Sequence, residues 1–353
     1  MIGYALLRPF IFLLDAERAH RLSLYGVRLL PSLSSGSDDP ILASRVAGLN
    51  FPNPVGLAAG YDKDAEVPAQ MLRLGFGAVE VGTLTPVPQS GNPQPRLFRL
   101  IEDRAVINRM GFNNGGQAVA EQRLAAARGK GIIGVNIGAN KDAVDRIADY
   151  ASGVARMAPY ASYLTINISS PNTPGLRALQ DEGALAELLS AVRAALPPSG
   201  PPVFLKVAPD LEPADIDAIA RLSVGQVDAL LISNTTISRP TLQSPHAKEA
   251  GGLSGAPLKA LAQQCMTDFA RATGRTGSPP QRPGGEPGSG PTLGRGARRT
   301  APLPQRRRRS VRHARLRHGA ARPLPLERQL GRRPRRGRFA HVRLPRQPIL
   351  QTN

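Results

Sequence analysis

Cysteine, long apolar runs and a secretion signal are the first features that this sequence lacks. Cys265 is the single cysteine in 353 residues, so the chain can form neither an internal disulfide nor a cysteine-based metal site, which suits a reducing compartment. We expect Cys265 to be a buried helix residue. No apolar run reaches the roughly 18 to 20 residues that a spanning helix needs, and residues 1–30 lack the small-residue cleavage site of a secretory signal.

Acidic residues are scarce only at the C-terminal end, so the net charge of +20 is distributed unevenly along the chain. Residues 275–353 contain 21 Arg, no Lys and two acidic residues, and so carry +19. Residues 1–274 contain 25 basic and 24 acidic side chains, and so carry +1. The basic character therefore belongs to the tail, and the balanced charge of the remainder argues against a nucleic-acid-binding protein.

Residues 1–30 are predicted to form one or two short helices with a broad apolar face. Charged residues interrupt the apolar ones at Arg8, Asp15, Glu17, Arg18 and Arg21. Such helices either pack on their own domain or lie in a membrane interface, where Arg side chains meet anionic head groups. The residues alone leave both interpretations open.

From about residue 53 the chain alternates short apolar runs with longer stretches of helical period, which is typical of parallel strands and crossover helices. Strands are predicted at 54–59, 78–82, 132–137, 163–168, 203–207 and 229–233, and helices at 65–74, 117–127, 143–158, 181–195, 213–222 and 257–272. These make six βα units. The strands are apolar almost throughout, as strands covered on both faces should be.

Polar residues follow these strands one after another and favour a barrel over an open sheet. They are Asp62 and Lys63; Thr83; Asn136; Asn167, Ser169, Ser170 and Asn172; Lys206; and Asn234 with Thr235. A doubly wound sheet would place a glycine-rich phosphate turn after its first strand, and no GxGxxG occurs there. In a closed barrel all these strand ends meet on one face. The alternative, that each is only a turn or cap residue, weakens with six strands in succession.

Eight stretches of the chain carry a family resemblance, and they occur in order. They are NPVGLAAGYDKDAE (53–66), GFGAVEVGTLTPVPQSGNPQPRLFRL (75–100), INRMGFNN (107–114), GVNIGANKD (134–142), INISSPNTPGLRALQ (166–180), LKVAPDL (205–211), SNTTISRP (233–240) and GGLSGAPLK (251–259). Over residues 1 to about 270 the chain resembles the class 2, quinone-dependent dihydroorotate dehydrogenases. The resemblance implies a (β/α)8 TIM barrel, of which six βα units are legible.

The resemblance also implies an activity: oxidation of (S)-dihydroorotate to orotate in pyrimidine biosynthesis, with FMN as hydride acceptor and a membrane quinone as final electron acceptor. Ser170 matches the family's base for the C5 proton, and we expect Thr173 to relay that proton through water. Lys206 would place a fixed positive charge at the flavin. The expected catalytic residues are therefore Ser170, Thr173 and Lys206.

The matching positions imply two further sets of site residues. The expected cofactor-binding residues are Ala58, Ala59, Gly60, Tyr61, Asp62, Thr83, Asn136, Asn167, Lys206, Ser233 and Gly255. The expected substrate-binding residues are Lys63, Asn108, Arg109, Met110, Gly111, Phe112, Asn167, Asn172, Asn234 and Thr235. Ammonium and amide donors suit a carboxylate and a planar ring that carries carbonyls and N–H groups. No metal is expected.

Two features indicate class 2 within the family: a serine at the base position, where class 1 relatives have cysteine, and a helical extension before the barrel. We expect residues 1–40 to form a membrane- and quinone-associated extension and residues 41–274 to form the FMN-binding barrel. The implied location is peripheral, on the cytoplasmic face of the cell membrane. Another FMN barrel, of class 1 or dihydropyrimidine type, and an inactive barrel with a nucleic-acid-binding tail are the alternatives.

The resemblance stops near residue 274, before the last two βα units of the family. Residues 275–353 contain 12 Pro and 10 Gly and a single Phe, so we expect them to be disordered, because they bury too little apolar surface to offset the entropy of ordering. Loss of two units would expose sheet edges and remove donors for the FMN phosphate. We therefore expect impaired folding and weak FMN binding.

The tail is about as long as two βα units and has the composition of GC-rich DNA translated out of frame. A shifted reading frame near codon 274 predicts that another frame of the downstream DNA encodes a VGG-type strand and a Tyr-Ser pair. Sequencing that DNA tests this, and finding neither motif in the other two frames rules it out. The alternative is an evolved basic extension that binds nucleic acid or anionic lipid.

Overall fold

The computed structural model describes residues 2–30, 38–274 and 349–351 of the chain, with side chains for residues 6–30 and 38–274. They belong to one compact unit, Met1–Gly277 together with Pro345–Asn353. A second unit, Ser278–Leu344, lies outside the described residues. The tail predicted to be disordered and to arise from a shifted reading frame also lies outside the described residues, apart from residues 349–351.

Two helices open the chain, α1 (Ile2–Leu13) and α2 (Ala16–Leu29). Asp15 separates them, and its carboxylate accepts hydrogen bonds from the backbone N–H groups of Glu17 and Arg18, which start α2. Such a cap satisfies donors that have no partner within the helix. The predicted pair of short helices is confirmed. Within the described ranges no helix is both long and apolar enough to cross a bilayer.

The strands and the remaining helices alternate along the chain. The strands are β1 (Ser44–Val46), β2 (Leu49–Phe51), β3 (Gly56–Leu57), β4 (Ala78–Leu84), β5 (Leu97–Leu100), β6 (Ala105–Asn108), β7 (Ile133–Ile137), β8 (Tyr163–Asn167), β9 (Val203–Lys206), β10 (Ala229–Ile232), β11 (Gly252–Gly255) and β12 (Ile349–Gln351). The helices are α3 (Pro68–Arg73), α4 (Gln117–Ala127), α5 (Arg146–Met157), α6 (Glu182–Ala195), α7 (Pro213–Ser223) and α8 (Lys259–Ala272).

A parallel sheet organises the unit, with strand order β3-β4-β7-β8-β9-β10-β12. The first six strands are neighbours in the order in which the chain forms them, as βα units of a barrel require. Each of the six corresponds to a predicted strand, and each predicted helix has a counterpart. Element boundaries differ by a few residues. The short β3 is the largest departure, because Pro54 and the loop after Leu57 leave two residues to pair.

The two faces of the parallel sheet have different partners. Alternate positions of β4 and β8, such as Val79, Val81 and Leu164, join the large core cluster that packs against the helices. The intervening positions face the barrel interior. At the N-terminal end of the strands that interior is apolar and holds a separate cluster of Tyr163, Phe204, Ala229 and Leu231. Nearer the C-terminal end the interior is polar.

The sequence did not predict the antiparallel elements. β1 and β2 form a hairpin whose Ala47 and Leu49 pack on the interior apolar cluster and close the lower end of the sheet. β11, β6 and β5 form a small three-stranded sheet, with β6 paired to both neighbours. This sheet carries the segment after Asn108 to the upper end of the barrel. Its strands contribute a second small core of Phe98, Leu100, Ile107 and Leu253.

The outer edge of β10 pairs in parallel with β12, which places Leu230 opposite Ile349 and Ile232 opposite Gln351. No strand was predicted at 349–351, and this pairing corrects the expectation of disorder for those three residues. Cys265 is buried on α8, as expected.

Candidate active site

A cavity of about 370 Å³ opens at the C-terminal end of the parallel strands. Its volume lies within the usual range of small-molecule sites. Most of the polar residues predicted from the strand ends meet there. The lining comprises His20, Ala58, Ala59, Gly60, Tyr61, Lys63, Thr83, Leu97, Asn108, Met110, Gly111, Phe112, Asn167, Ser170, Pro171, Asn172, Lys206, Ser233, Asn234, Thr235, Ser254 and Leu258.

One wall of the cavity is built from backbone and very small side chains. Ala58, Ala59 and Gly60 follow β3, and Gly60 has φ +112°, a conformation that L side chains rarely adopt. The Gly60 N–H donates to the carbonyl oxygen of Gly82, which holds this segment against β4. The wall is therefore open to close approach by a flat ligand.

Lys206 ends β9 and is 5% exposed, and its side chain lines the cavity. Among the described residues its ammonium group has no hydrogen-bond partner. Burial lowers the pKa of Lys206, while the nearby Glu80 carboxylate opposes that shift. A desolvated cation in this position is suited to a partner with negative or partial negative charge.

Amide and hydroxyl groups beneath the cavity form a connected network. The Thr83 hydroxyl donates to Asn136 Oδ1 at 2.6 Å, and Asn167 Nδ2 lies 3.0 Å from Thr83 Oγ1 and 3.1 Å from Asn136 Oδ1. Asn136 Nδ2 donates to Glu80 Oε1 at 2.7 Å. Three strands, β4, β7 and β8, thereby hold Thr83 and Asn167 at the surface of the cavity.

Ser170 lies in the loop after β8, and its hydroxyl oxygen accepts from the backbone N–H of Asn172 at 3.3 Å. It is almost fully buried, but its side chain reaches the cavity. Thr173, three residues on, is buried and its hydroxyl has no hydrogen-bond partner among the described residues. A buried hydroxyl without a partner is costly and usually implies a water or ligand contact.

Lys63 is half-buried on the opposite wall. Burial, followed by repulsion from Arg96, lowers its pKa from 10.5 to about 8, with Asp64 and Glu17 opposing. The Lys63 ammonium therefore loses its proton at a lower pH than an ordinary lysine does. Below that pKa it can pair with an anionic group in the cavity.

The segment from Asn108 to Phe112 closes the cavity from the side of the antiparallel sheet. Asn108 Oδ1 accepts from Asn172 Nδ2 at 3.2 Å, and Asn92 Nδ2 donates to the carbonyl oxygen of Asn172 at 3.0 Å. These bonds tie the Ser170 loop to the end of β6. Two amide side chains from distant parts of the chain thereby lie side by side.

Five of the predicted site residues do not line the cavity. Asp62 is buried and accepts from the N–H groups of Glu66 and Val67, so it shapes the turn before α3. Asn136 and Thr173 lie beneath the lining, and Gly255 follows the lining residue Ser254. Arg109 forms a 2.7 Å ion pair with Glu249 and packs over Phe98.

Sequence reasoning missed five lining residues: His20, Leu97, Pro171, Ser254 and Leu258. His20 comes from α2, which the sequence placed in a separate extension. Its Nε2 lies 2.7 Å from the carbonyl oxygen of Tyr61, which can only accept, so Nε2 carries the proton. Burial lowers the pKa of His20. The periodicity of α2 held no signal for this contact.

Helix α2 is joined to the barrel by ion pairs as well as by His20. Glu17 lies 2.6 Å from Arg96, whose guanidinium also donates to the carbonyl oxygens of Ser90 and Asn92. Arg96 holds the pKa of the Glu17 carboxyl below its usual value. A second cavity, of about 670 Å³, lies between α2 and residues 94–97, and Leu97 lines both cavities.

Comparisons with known proteins agree with this geometry. A sequence model of the family "Dihydroorotate dehydrogenase" matches residues 41–276. A protein of Erythrobacter litoralis named dihydroorotate dehydrogenase (quinone) is 66% identical over 273 residues, which are 77% of this chain and 80% of the relative. A protein of the same name from Novosphingobium aromaticivorans is 64% identical, over 78% of this chain and 80% of the relative.

Solved structures give the same result for the fold. The crystal structure of dihydroorotate dehydrogenase from Eimeria tenella in complex with ferulenol has a TM-score of 0.70 and 42% identity, and the match covers 74% of this chain and 77% of that one. The α/β fold of TIM-barrel type predicted from the sequence is thus confirmed, with six parallel strands of the barrel in the described residues. The chain belongs to the dihydroorotate dehydrogenase family.

Proposed function

We propose that this chain is a quinone-dependent dihydroorotate dehydrogenase, which oxidises (S)-dihydroorotate to orotate in pyrimidine biosynthesis. The observation that carries this proposal is the convergence of Ser170, Lys63 and Lys206 on one cavity, together with four asparagine side chains. The family's enzymes use a flavin, and relatives more than 60% identical bear the quinone-dependent name. Residues 41–274 form the catalytic barrel and residues 1–40 form the membrane-associated extension.

The residues at the floor of the cavity fit FMN. Ala58, Ala59 and Gly60 offer a wall without large side chains, and Lys206 offers a desolvated cation that lacks a partner. Thr83, Asn167 and Ser233 add hydroxyl and amide groups from neighbouring strands. When bound, FMN supplies the hydride acceptor. Lys206 would hold its cation beside the bound flavin and would favour the reduced, negatively charged form, because in a water-poor site such a charge has few other partners.

The upper part of the cavity fits a small, planar, anionic substrate. Lys63 supplies a cation for the carboxylate, and Asn108, Asn172 and Asn234 supply amide groups for ring carbonyls and N–H groups. Thr235 completes this set. Met110, Gly111 and Phe112 close the side wall and exclude water.

Ser170 is the base that removes the C5 proton of dihydroorotate. An unperturbed serine is a weak base, so the proton must move onward from its hydroxyl. The buried, unpartnered hydroxyl of Thr173 supports a relay through one water between the two side chains. Their shared loop is held by Arg177, whose guanidinium donates to the carbonyl oxygen of Ser169 and pairs with Asp210 at 3.1 Å.

Replacing Ser170 tests the assigned base. We expect Ser170→Ala, assayed with excess FMN, to lower kcat for dihydroorotate oxidation by roughly 10² to 10⁴-fold near neutral pH, because no proton acceptor remains at C5. FMN affinity should be unchanged, since the hydroxyl lies on the substrate side. Dye reduction with added quinone gives the rate. Ser199→Ala, at an exposed position, is the matched control, and a Ser170→Ala enzyme of full activity would refute the assignment.

The Lys63 pKa of about 8 predicts how orotate binding depends on pH. Below that pH the ammonium is charged and pairs with the orotate carboxylate; above it the neutral amine does not. Orotate affinity should therefore be constant from pH 6.5 to 7.5 and decline through pH 8 to 9. By pH 9 the loss should reach about tenfold, because a single proton changes the affinity by about a factor of ten for each pH unit above its pKa.

Calorimetric titration of the FMN-supplemented protein measures this dependence. Lys63→Gln should bind orotate weakly and without the decline above pH 8, whereas Lys259→Gln, on the exposed start of α8, should behave as the unmodified chain. An unchanged pH profile in Lys63→Gln would show that the decline arises elsewhere.

The N-terminal helices support access for a membrane quinone. α1 and the loop after it expose apolar side chains, with Leu7 at 59%, Phe10 at 70% and Leu13 at 84% exposure. The cavity beside α2 shares Leu97 with the central cavity. We propose that this apolar face enters the membrane interface, on the cytoplasmic side, and that quinone approaches along α2.

Vesicle binding tests the membrane face. We expect the full chain to co-sediment with neutral phosphatidylcholine vesicles, and the double variant Leu7→Asp with Phe10→Asp to remain in solution, because carboxylates oppose burial of the apolar face. Neutral lipid removes electrostatic attraction of the Arg-rich tail. Val144→Asp, which also replaces an exposed apolar residue, is the control. Equal sedimentation of all three proteins would contradict the proposal.

The phosphate of FMN poses a separate question. Barrel enzymes usually bind phosphate after strands seven and eight, and in the described residues only the three-residue β12 follows β10 in the parallel sheet. We therefore expect the purified full chain to hold less than one FMN per chain, while the Erythrobacter litoralis relative, prepared in parallel, retains more. Visible absorbance against protein concentration measures this. Stoichiometric FMN in this chain would contradict the expectation.

A further inference from the structure

Glu80 is a carboxylate buried inside the barrel that the proposed reaction does not use. It occupies the third position of β4 and is 3% exposed. Its two oxygens have different partners: Oε1 accepts from Asn136 Nδ2 at 2.7 Å, and Oε2 accepts from the Thr165 hydroxyl at 2.9 Å. A buried charge persists only where hydrogen bonds and an opposite charge compensate it.

The Glu80 bond fixes which way the Asn136 amide is turned. A side-chain amide presents one donor end and one acceptor end, and its orientation follows from its partners. Turned the other way, Asn136 would place its oxygen against the carboxylate and its NH2 against the donors of Thr83 and Asn167. The carboxylate therefore directs Asn136 Oδ1 upward, toward the cavity.

The orientation of Asn136 in turn fixes the orientation of the next side chains in the network. Asn136 Oδ1 accepts from Asn167 Nδ2, so Asn167 Oδ1 is turned to the Ser169 hydroxyl, which donates to it at 2.8 Å. Ser169 Oγ in turn accepts from Asn234 Nδ2 at 2.9 Å. Five side chains from four strands and their loops thus form one chain of hydrogen bonds, and Asn167 and Asn234, its two members that line the cavity, derive their orientation from it.

Glu80 also interacts electrostatically with Lys206. Its Coulomb interaction is the one that favours the charged form of Lys206 against the effect of burial on the lysine's pKa. Glu80 likewise raises the pKa of the Tyr163 hydroxyl, after burial itself. The Tyr163 ring lies over Gly134 and stacks on Phe204 at 4.6 Å, so it connects this layer with the apolar cluster below.

We propose that Glu80 is a positioning residue, which sets the donor and acceptor directions of the amides that face the ligand and supplies a buried counter-charge for Lys206. The proposal rests on the proposed function only for the identity of that ligand. A carboxylate that merely stabilised the barrel would need neither the amide chain nor an electrostatic interaction with Lys206.

The charge of Lys206 is the first test and requires neither FMN nor dihydroorotate. Acetic anhydride acetylates only neutral amines, and peptide mass spectrometry reports each lysine of the full chain across pH. We expect Glu80→Gln, which keeps the shape and one acceptor but removes the charge, to move the Lys206 profile to lower pH and speed its labelling several-fold at neutral pH. Lys63 is the internal control, because its charge neighbours are Arg96, Asp64 and Glu17.

Thr165→Val is the matched variant, because it removes the hydrogen bond between Thr165 and Glu80 and keeps the charge. Its Lys206 profile should follow that of the unmodified chain. If Glu80→Gln leaves the pH profile of Lys206 acetylation unchanged, or shifts that of Lys63 equally, Glu80 is not the counter-charge of Lys206.

A swap tests the amide direction. Asn136→Asp places two carboxylates in contact and should strongly lower the urea midpoint at pH 7.5. When Glu80→Gln is combined with Asn136→Asp, the new amide at position 80 donates to the new carboxylate at position 136. The other oxygen of that carboxylate still accepts from Thr83 and Asn167, so most of the loss should be recovered.

If the decreases in urea midpoint caused by Glu80→Gln and by Asn136→Asp simply add in the double variant, the proposed amide orientation is wrong. If Asn136→Asp does not fold, the midpoints of Glu80→Gln and the double variant decide: the double variant must be no less stable.

A rate measurement separates this proposal from the proposed function. With added FMN, Glu80→Gln should lower kcat for dihydroorotate more than it raises KM. Absence of activity in the unmodified chain would refute the proposed function, yet leave the acetylation and swap results to decide the role of Glu80.

Discussion

The register of the parallel strands is the constraint on which the site depends. Glu80 pairs with Gly134, Asn136 with Thr165 and Asn167 with Lys206. This register turns the five side chains that these pairs carry into the barrel interior at successive heights. Shifting any strand by one residue would exchange these polar groups for the apolar ones that pack on the helices. The interior therefore forms layers: apolar at the bottom, charged and amide-bearing in the middle, and open to ligand at the top.

Burial makes the charged and amide-bearing middle layer both rigid and strongly attractive to a ligand. Two charges and several amides removed from water are stable only when each finds its partner, so the network has few alternative arrangements. Within it, Lys206 alone has an ammonium group that faces the cavity without a hydrogen bond from the described residues. The same low-dielectric surroundings strengthen its attraction for an electron-rich ligand. Protein stability and ligand recognition thus depend on the same buried groups.

The N-terminal helices belong to the site as well as to the surface. Arg96 joins Glu17 to the loop before β5, and His20 reaches the carbonyl oxygen of Tyr61 beside the cavity. One side of α2 therefore helps to close the site, while α1 and the ends of the pair expose large apolar side chains. A single pair of helices can in this way connect a membrane face with the barrel.

The sequence by itself determined the order of βα units, the family, and the set of polar residues at the strand ends, because hydrophobic period and short motifs are local properties. Tertiary structure decided which of those residues face the cavity. Arg109 pairs with Glu249, 140 residues away, and Asp62 turns back onto its own loop. Glu80 and His20 gave no local signal of their roles beyond a charge within an apolar strand and a histidine in a helix. Their partners lie on other strands and helices, and only strand register and helix docking bring them together.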